Sequence, residues 1–178
     1  MNTATIIAGI PNRSAAERTA MRENAERWVA SDDAAKQTAG REVLEALTRQ
    51  AAQDHAATFE RLSGLNAAQK VVEAFRAVPL TQTDRTVIQA LLDNPGSDSS
   101  TLSVACGWKP GAGWHMHFGK MCARRGGYLW PAPYAEERDA DFYCGILCDW
   151  DWGSGHLTYT LKPEVAVAFA EMGLKAQK

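Results

Sequence analysis

The chain has 178 residues, 46% of them hydrophobic and 22% charged, with a formal net charge of -2. These are globular values, which argues against disorder along the whole chain; any nucleic-acid contact must come from how charge is distributed, not from its sum. No apolar run approaches a membrane span, and the run Ala4 to Ile10 is short, broken by Thr5 and Gly9 and not preceded by a basic start. A cytoplasmic protein with no membrane partner is expected.

Residues 1–78 are predicted to be a helical region, for dimerisation or interaction. Ser14-Ala15-Ala16-Glu17 is a capping box. Met21, Ala25, Trp28 and Val29 then share one face at helical spacing. Ser31-Asp32-Asp33 is a second start, and Leu44, Leu47, Ala51, His55, Phe59 and Leu62 continue in phase until Ser63-Gly64. Gly40 marks a kink or a boundary. Arg41, Glu45, Arg49, Asp54 and Glu60 lie opposite the stripe, which therefore needs another helix to cover it. Either the helix from Ser14 to Ala30 or a second copy of the chain supplies that cover, and a homodimer is favoured. His55 reads as a core or interface histidine. Asn66-Ala67-Ala68-Gln69 caps a short helix with Val71, Val72 and Phe75 inward, and Pro79 stops it.

Residues 79–178 change character. Thr81-Gln82-Thr83-Asp84 opens a helix with Val87, Ile88, Leu91 and Leu92 on its core face, ended by Asn94-Pro95-Gly96. Ser97 to Ser100 caps a second helix, with Leu102 and Ala105 inward. After the turn Pro110-Gly111-Ala112-Gly113, a third helix puts Trp114, Phe118, Met121 and Cys122 on one face. The period then becomes two: Phe142 to Trp150 reads as one strand, Asp151 to Gly155 as a turn, and His156 to Leu161 as the return strand. Tyr128-Leu129-Trp130 offers a short third strand. Pro163 suits the first turn of a last helix, with Val165, Ala166, Phe169 and Met172 apolar and Gly173 as its stop.

This order, with the turn LSVACGW between the second and third helices, resembles the winged helix-turn-helix superfamily over Leu80 to Leu174. The expected fold is mainly α with a small β-hairpin wing, a helical N-terminal region preceding a winged helix. The resemblance implies double-stranded DNA binding through the matching third helix, Trp114 to Arg125, as in a small transcriptional regulator or a phage, plasmid or defence protein.

Charge distribution agrees. From Gly107 to Arg125 there are four cations and no acid, interleaved with Trp108, Trp114, His115, His117 and Phe118. The candidate DNA-binding residues are Lys109, Trp114, His115, Met116, His117, Lys120, Arg124 and Arg125. Lys120, Arg124 and Arg125 suit phosphates, while His115, Met116 and His117 face bases. Trp108 and Trp152 flank Gly-rich turns and are candidates for stacking. Against this, residues 136–151 hold six acids, and Arg138 is the sole Lys or Arg among them. An acidic wing repels phosphate, so the alternative is a winged-helix protein-interaction module using that loop.

Metal and catalytic chemistry find little footing. Cys144 and Cys148 would lie ~13 Å apart along a strand, whereas zinc ligands sit about 2.0–2.3 Å from the metal. Buried apolar thiols are the expected state of Cys106, Cys122, Cys144 and Cys148. No nucleophile elbow, zinc-protease helix or phosphate loop occurs. No enzyme, catalytic residue, metal or cofactor is expected. The remote alternative is a metal-dependent nuclease built on Asp149, Asp151 and His156.

Overall fold

Reciprocal capping boxes begin three of the helices. Ser14, Asn66 and Thr81 each accept from the amide three residues on, and Glu17, Gln69 and Asp84 reach back to the cap amide. They open α2 (Ala15–Val29), α4 (Ala67–Ala77) and α5 (Gln82–Asp93), where the sequence predicts starts. The structure, a computed structural model, describes residues 2–153 and 155–177. Met1 and Lys178, at the ends of the two expected regions, and Ser154, inside the expected turn, lie outside the described residues. The chain divides into two compact units, Met1–Glu60 and Arg61–Lys178.

In the first unit α1 (Thr3–Gly9) and α2 precede the long α3 (Ala34–Ser63), all but the last three residues of which belong to it. Ile10, Ala25, Val43, Ala46 and Leu47 are buried together, with Ile6, Ile7, Met21, Trp28 and Leu44 packed against them. Gly40 is not a boundary, since α3 runs through it unbroken. A Cβ there would sit 2.7 Å from the Ala25 carbonyl oxygen and 2.9 Å from Val29, so glycine permits α2 and α3 to cross closely. The predicted stripe therefore splits. Leu47 is covered within the chain, while Ala51, His55 and Phe59 face solvent, Phe59 at 70% exposure. His55 is thus not a core histidine.

The second unit holds α4, α5, β1 (Ser97–Asp98), α6 (Ser99–Ala105), α7 (Trp114–Ala123), β2 (Tyr134–Ala135), β3 (Ala140–Asp141), β4 (Cys148–Asp151), β5 (Thr158–Leu161) and α8 (Pro163–Glu171). An antiparallel sheet runs in the order β1-β5-β4, with Ser97 opposite Tyr159 and Cys148 opposite Leu161. A separate hairpin pairs β2 with β3. The chain is mainly α with this small β addition in its C-terminal part, as the sequence predicts.

Three expectations need correction. Phe142 to Trp150 is not one strand: Tyr143–Ile146 is a tight helical turn, and Cys144 to Cys148 are buried in succession, without alternation. The turn closes through the Gly145 amide on the Phe142 carbonyl (2.9 Å) and the Leu147 amide on the Cys144 carbonyl (3.1 Å). Tyr128 to Trp130 forms no strand; β1 is the third strand instead. Finally, the division between units falls after Glu60, so the expected boundary at Pro79 cuts the second unit. Helix α4 belongs to that unit's core because Val71, Ala74 and Phe75 are buried and Phe75 meets Phe169 of α8 edge-on at 5.3 Å. Among the described residues no helix is long and apolar enough to cross a membrane.

Candidate nucleic-acid interface

Helix α7 is fixed by its first residue. Gly113 precedes it at φ 79°, a left-handed conformation that suits glycine. Trp114 is fully buried: its indole Nε1 donates to the Val87 carbonyl (3.0 Å), and its ring lies against Phe118 (4.7 Å) and Tyr159 (5.0 Å). The serines of α6 hold the first amides. Ser103 Oγ accepts from the Trp114 amide (3.2 Å) and Ser99 Oγ from the His115 amide (3.3 Å). His115 Nδ1 lies 2.8 Å from the same Ser99 hydroxyl. Burial, with the nearby Arg138 charge, lowers the His115 pKa and so favours the neutral imidazole.

The opposite face of α7 is open. Met116 is 56% exposed, and His117, Lys120 and Arg124 are exposed beside it. His117 leans on half-buried Trp108, with ring centroids 4.9 Å apart. Lys109 is exposed in the preceding turn. Arg124 reaches Asp84 Oδ1 at 2.6 Å while its side chain stays 47% exposed.

Two expected contact residues are not at the surface. Trp114 is core. Arg125 is also fully buried, with its guanidinium 4.1 Å from the centre of the Phe75 ring. It donates to the carbonyls of Val78 (2.7 and 3.1 Å), Pro79 (3.1 Å) and Met121 (2.9 Å), and pairs with Asp84 Oδ2 at 3.2 Å. The spacing carried a signal for this. Phe118, Met121, Cys122 and Arg125 stand at i, i+3, i+4 and i+7, so Arg125 continues the apolar stripe.

Arg138 is the residue sequence reasoning passed over. Four of the six acids, Glu136, Glu137, Asp139 and Asp141, fall in the β2–β3 hairpin around a turn at Glu136–Arg138, with the Tyr134 hydroxyl donating to Asp139, while Asp149 and Asp151 lie on β4. The Arg138 guanidinium stands 5.2 Å from the centre of the Phe142 ring. It lines two clefts that meet at His115. One, of about 380 Å³, includes Asp98, Ser99, Trp152 and His156; the other, of about 260 Å³, includes Met116, Lys120, Asp141 and Tyr143. Trp152, 44% exposed, is the open tryptophan of the two stacking candidates.

Asp151 Oδ1 accepts from the Gly153 amide (3.0 Å), and among the described residues no three His, Cys, Asp or Glu gather as a metal site. Cys122, Cys144 and Cys148 are buried and Cys106 half-buried, all as free thiols. Burial pushes Cys106 up to about 11 and Cys144 up to about 12, leaving neither as a thiolate near pH 7. No protein-family model matches this chain, and neither a curated protein nor a solved structure matches it.

Proposed function

We propose that the second unit is a winged-helix binding module, not an enzyme, that docks on duplex DNA through α7. One observation carries this reading: the outward face of α7 bears Met116, His117, Lys120 and Arg124, without an acid, while its inward face is locked in the core. Apart from the β2–β3 hairpin inserted between α7 and β4, the order α5, β1, α6, α7, β4, β5 and the strand order β1-β5-β4 support the winged-helix resemblance. Lys109 and Lys120 serve as phosphate ligands, Arg124 shares its charge with Asp84, and Met116 and His117 face the groove with His115 behind them.

Replacing Lys109 and Lys120 together with Ala is expected to weaken binding on every duplex alike. The slope of log affinity against log salt should flatten by roughly 1.8, about 0.9 for each phosphate contact. Fluorescence anisotropy across a salt series reads both effects. A slope equal to the parent's removes α7 as the docking element. If the parent binds no duplex at low salt, the second reading takes over: a protein-interaction module. Exposed Glu136, Glu137 and Asp141 on the β2–β3 hairpin favour it.

A second copy of the chain fits the same reading. Exposed Ala51, His55 and Phe59 leave part of α3 without cover, and two-fold symmetry would double the site on DNA. Sedimentation equilibrium should give twice the 19.4 kDa of one chain; a mass of one chain at micromolar concentration removes the dimer.

A further inference from the structure

The clefts on either side of His115 share one cation from outside α7. Arg138 is exposed but held: the Phe142 ring under its guanidinium is itself buried, and the Phe142 amide donates to the Pro133 carbonyl at 2.8 Å. A guanidinium resting on an aromatic face keeps its N–H edge for another acceptor. The acids around it do not use that edge. Asp139 takes the Tyr134 hydroxyl, Asp98 takes the Thr101 amide (2.8 Å), and among the described residues no carboxylate oxygen lies within 4.0 Å of Arg138. Lys120 lines the same 260 Å³ cleft, also without an ion pair among the described residues. Met116 and Tyr143, about half exposed, line it as well, and so does Asp141, which pairs with neither cation. Two unpaired cations lining one cleft beside Met116 and Tyr143 suit a phosphodiester and its sugar, with Asp141 the single acid in that lining. The turn between β4 and β5 offers no such partner, because residues 149–157 contain no Lys or Arg.

We propose that Arg138 is a phosphate ligand for the DNA strand bordering α7, so that the β2–β3 hairpin supplies the flanking cation that the β4–β5 turn lacks. This rests on the duplex-docking reading above. The acids of the hairpin then border the contact without making it.

The test uses the full chain and a labelled duplex of mixed sequence. Affinity is measured over a salt series for the parent, Arg138→Gln, Arg138→Met and Glu137→Gln. Met keeps the apolar stem over Phe142, which separates loss of charge from loss of packing. Near-UV circular dichroism confirms the fold of each variant. Both neutral Arg138 variants should bind roughly tenfold more weakly at about 50 mM salt, with the slope lowered by about 0.9. Glu137→Gln should keep the parent slope. Ethylation of the DNA phosphates should show one interfering position with the parent that is lost with Arg138→Met. If the parent binds duplex and both Arg138 variants keep its slope, this inference falls and the docking reading stands. If Glu137→Gln shifts the slope as far in the other direction, Arg138 acts through the general field and is not a ligand. Competition by inorganic phosphate alone would mark a small-anion site and overturn the strand contact. A parent that binds no duplex overturns both readings.

Discussion

Asp84→Asn is expected to cost about 3–5 kcal/mol of stability, the usual range when one partner of a buried ion pair is removed. Asn keeps the shape of Asp and its one oxygen can still accept from the Thr81 amide, but its NH2 replaces the oxygen that Arg124 uses, so the charge and one acceptor are lost together. What remains is the Arg125 cation, fully buried, facing the carbonyls of Val78, Pro79 and Met121 and the Phe75 ring, with no anion beside it. Carbonyl dipoles solvate a guanidinium in part; they do not neutralise it. Arg125→Met should cost less. It leaves Asp84 paired with Arg124 and places a flexible apolar chain over Phe75. Urea denaturation of the full chain measures both. A loss below about 1 kcal/mol for Asp84→Asn would mean that water or another group serves Arg125.

The same pair sets an acid dependence. Burial alone would raise the Asp84 carboxyl, but the Thr81 amide and the guanidinium groups of Arg124 and Arg125 more than offset it and hold it below its ordinary value. A depressed folded pKa means that the stabilisation is complete above about pH 4, the unfolded value, and is lost as pH falls through the lower folded value. The stability gap between parent and Asp84→Asn should therefore be constant near neutrality and close in acid. A gap that instead opens as pH falls would reverse the assignment.

Elements governed by local chemistry were legible in the sequence. Capping boxes and helical spacing located α2, α4, α5 and α7, and Pro163 located α8, because those signals act within one or two turns. The failures share a cause: they depend on what packs from far along the chain. Cys144 to Cys148 alternate in no way once buried from both sides, so a period of two was the wrong template for them. Gly40 looked like a break and is a crossing point, since Ala25 and Val29 approach it from another helix. At the site, the exposed face of α7 followed from its apolar stripe, and Arg125 was misassigned by reading its charge before its phase. Asp84, forty-one residues earlier, is what makes a buried Arg tolerable there, and no local pattern announces that pairing. Arg138 was visible as the odd cation among acids, but its place beside His115 depends on a hairpin that strand periodicity did not reveal.

The division of the chain yields the second large effect. A fragment Arg61–Lys178 should unfold in a single cooperative thermal transition, whereas Pro79–Lys178 should not fold. The shorter fragment loses Val71, Ala74 and Phe75, three buried residues of the second unit's core. Truncating one buried Phe to Ala commonly costs about 3–5 kcal/mol, and whole domains are stable by only about 5–15 kcal/mol. Removing the entire helix exposes the face of Phe169 that met Phe75 and takes the Val78 carbonyl and the Phe75 ring away from Arg125. The cut thus combines lost apolar burial with a stranded buried cation, and each alone is a large fraction of the available stability. Circular dichroism on heating and binding of a hydrophobic dye distinguish the outcomes. A sharp transition in Pro79–Lys178, without dye binding, would show that α4 only decorates a self-sufficient core. The lack of a transition in Arg61–Lys178 would mean that residues before Arg61 are also needed.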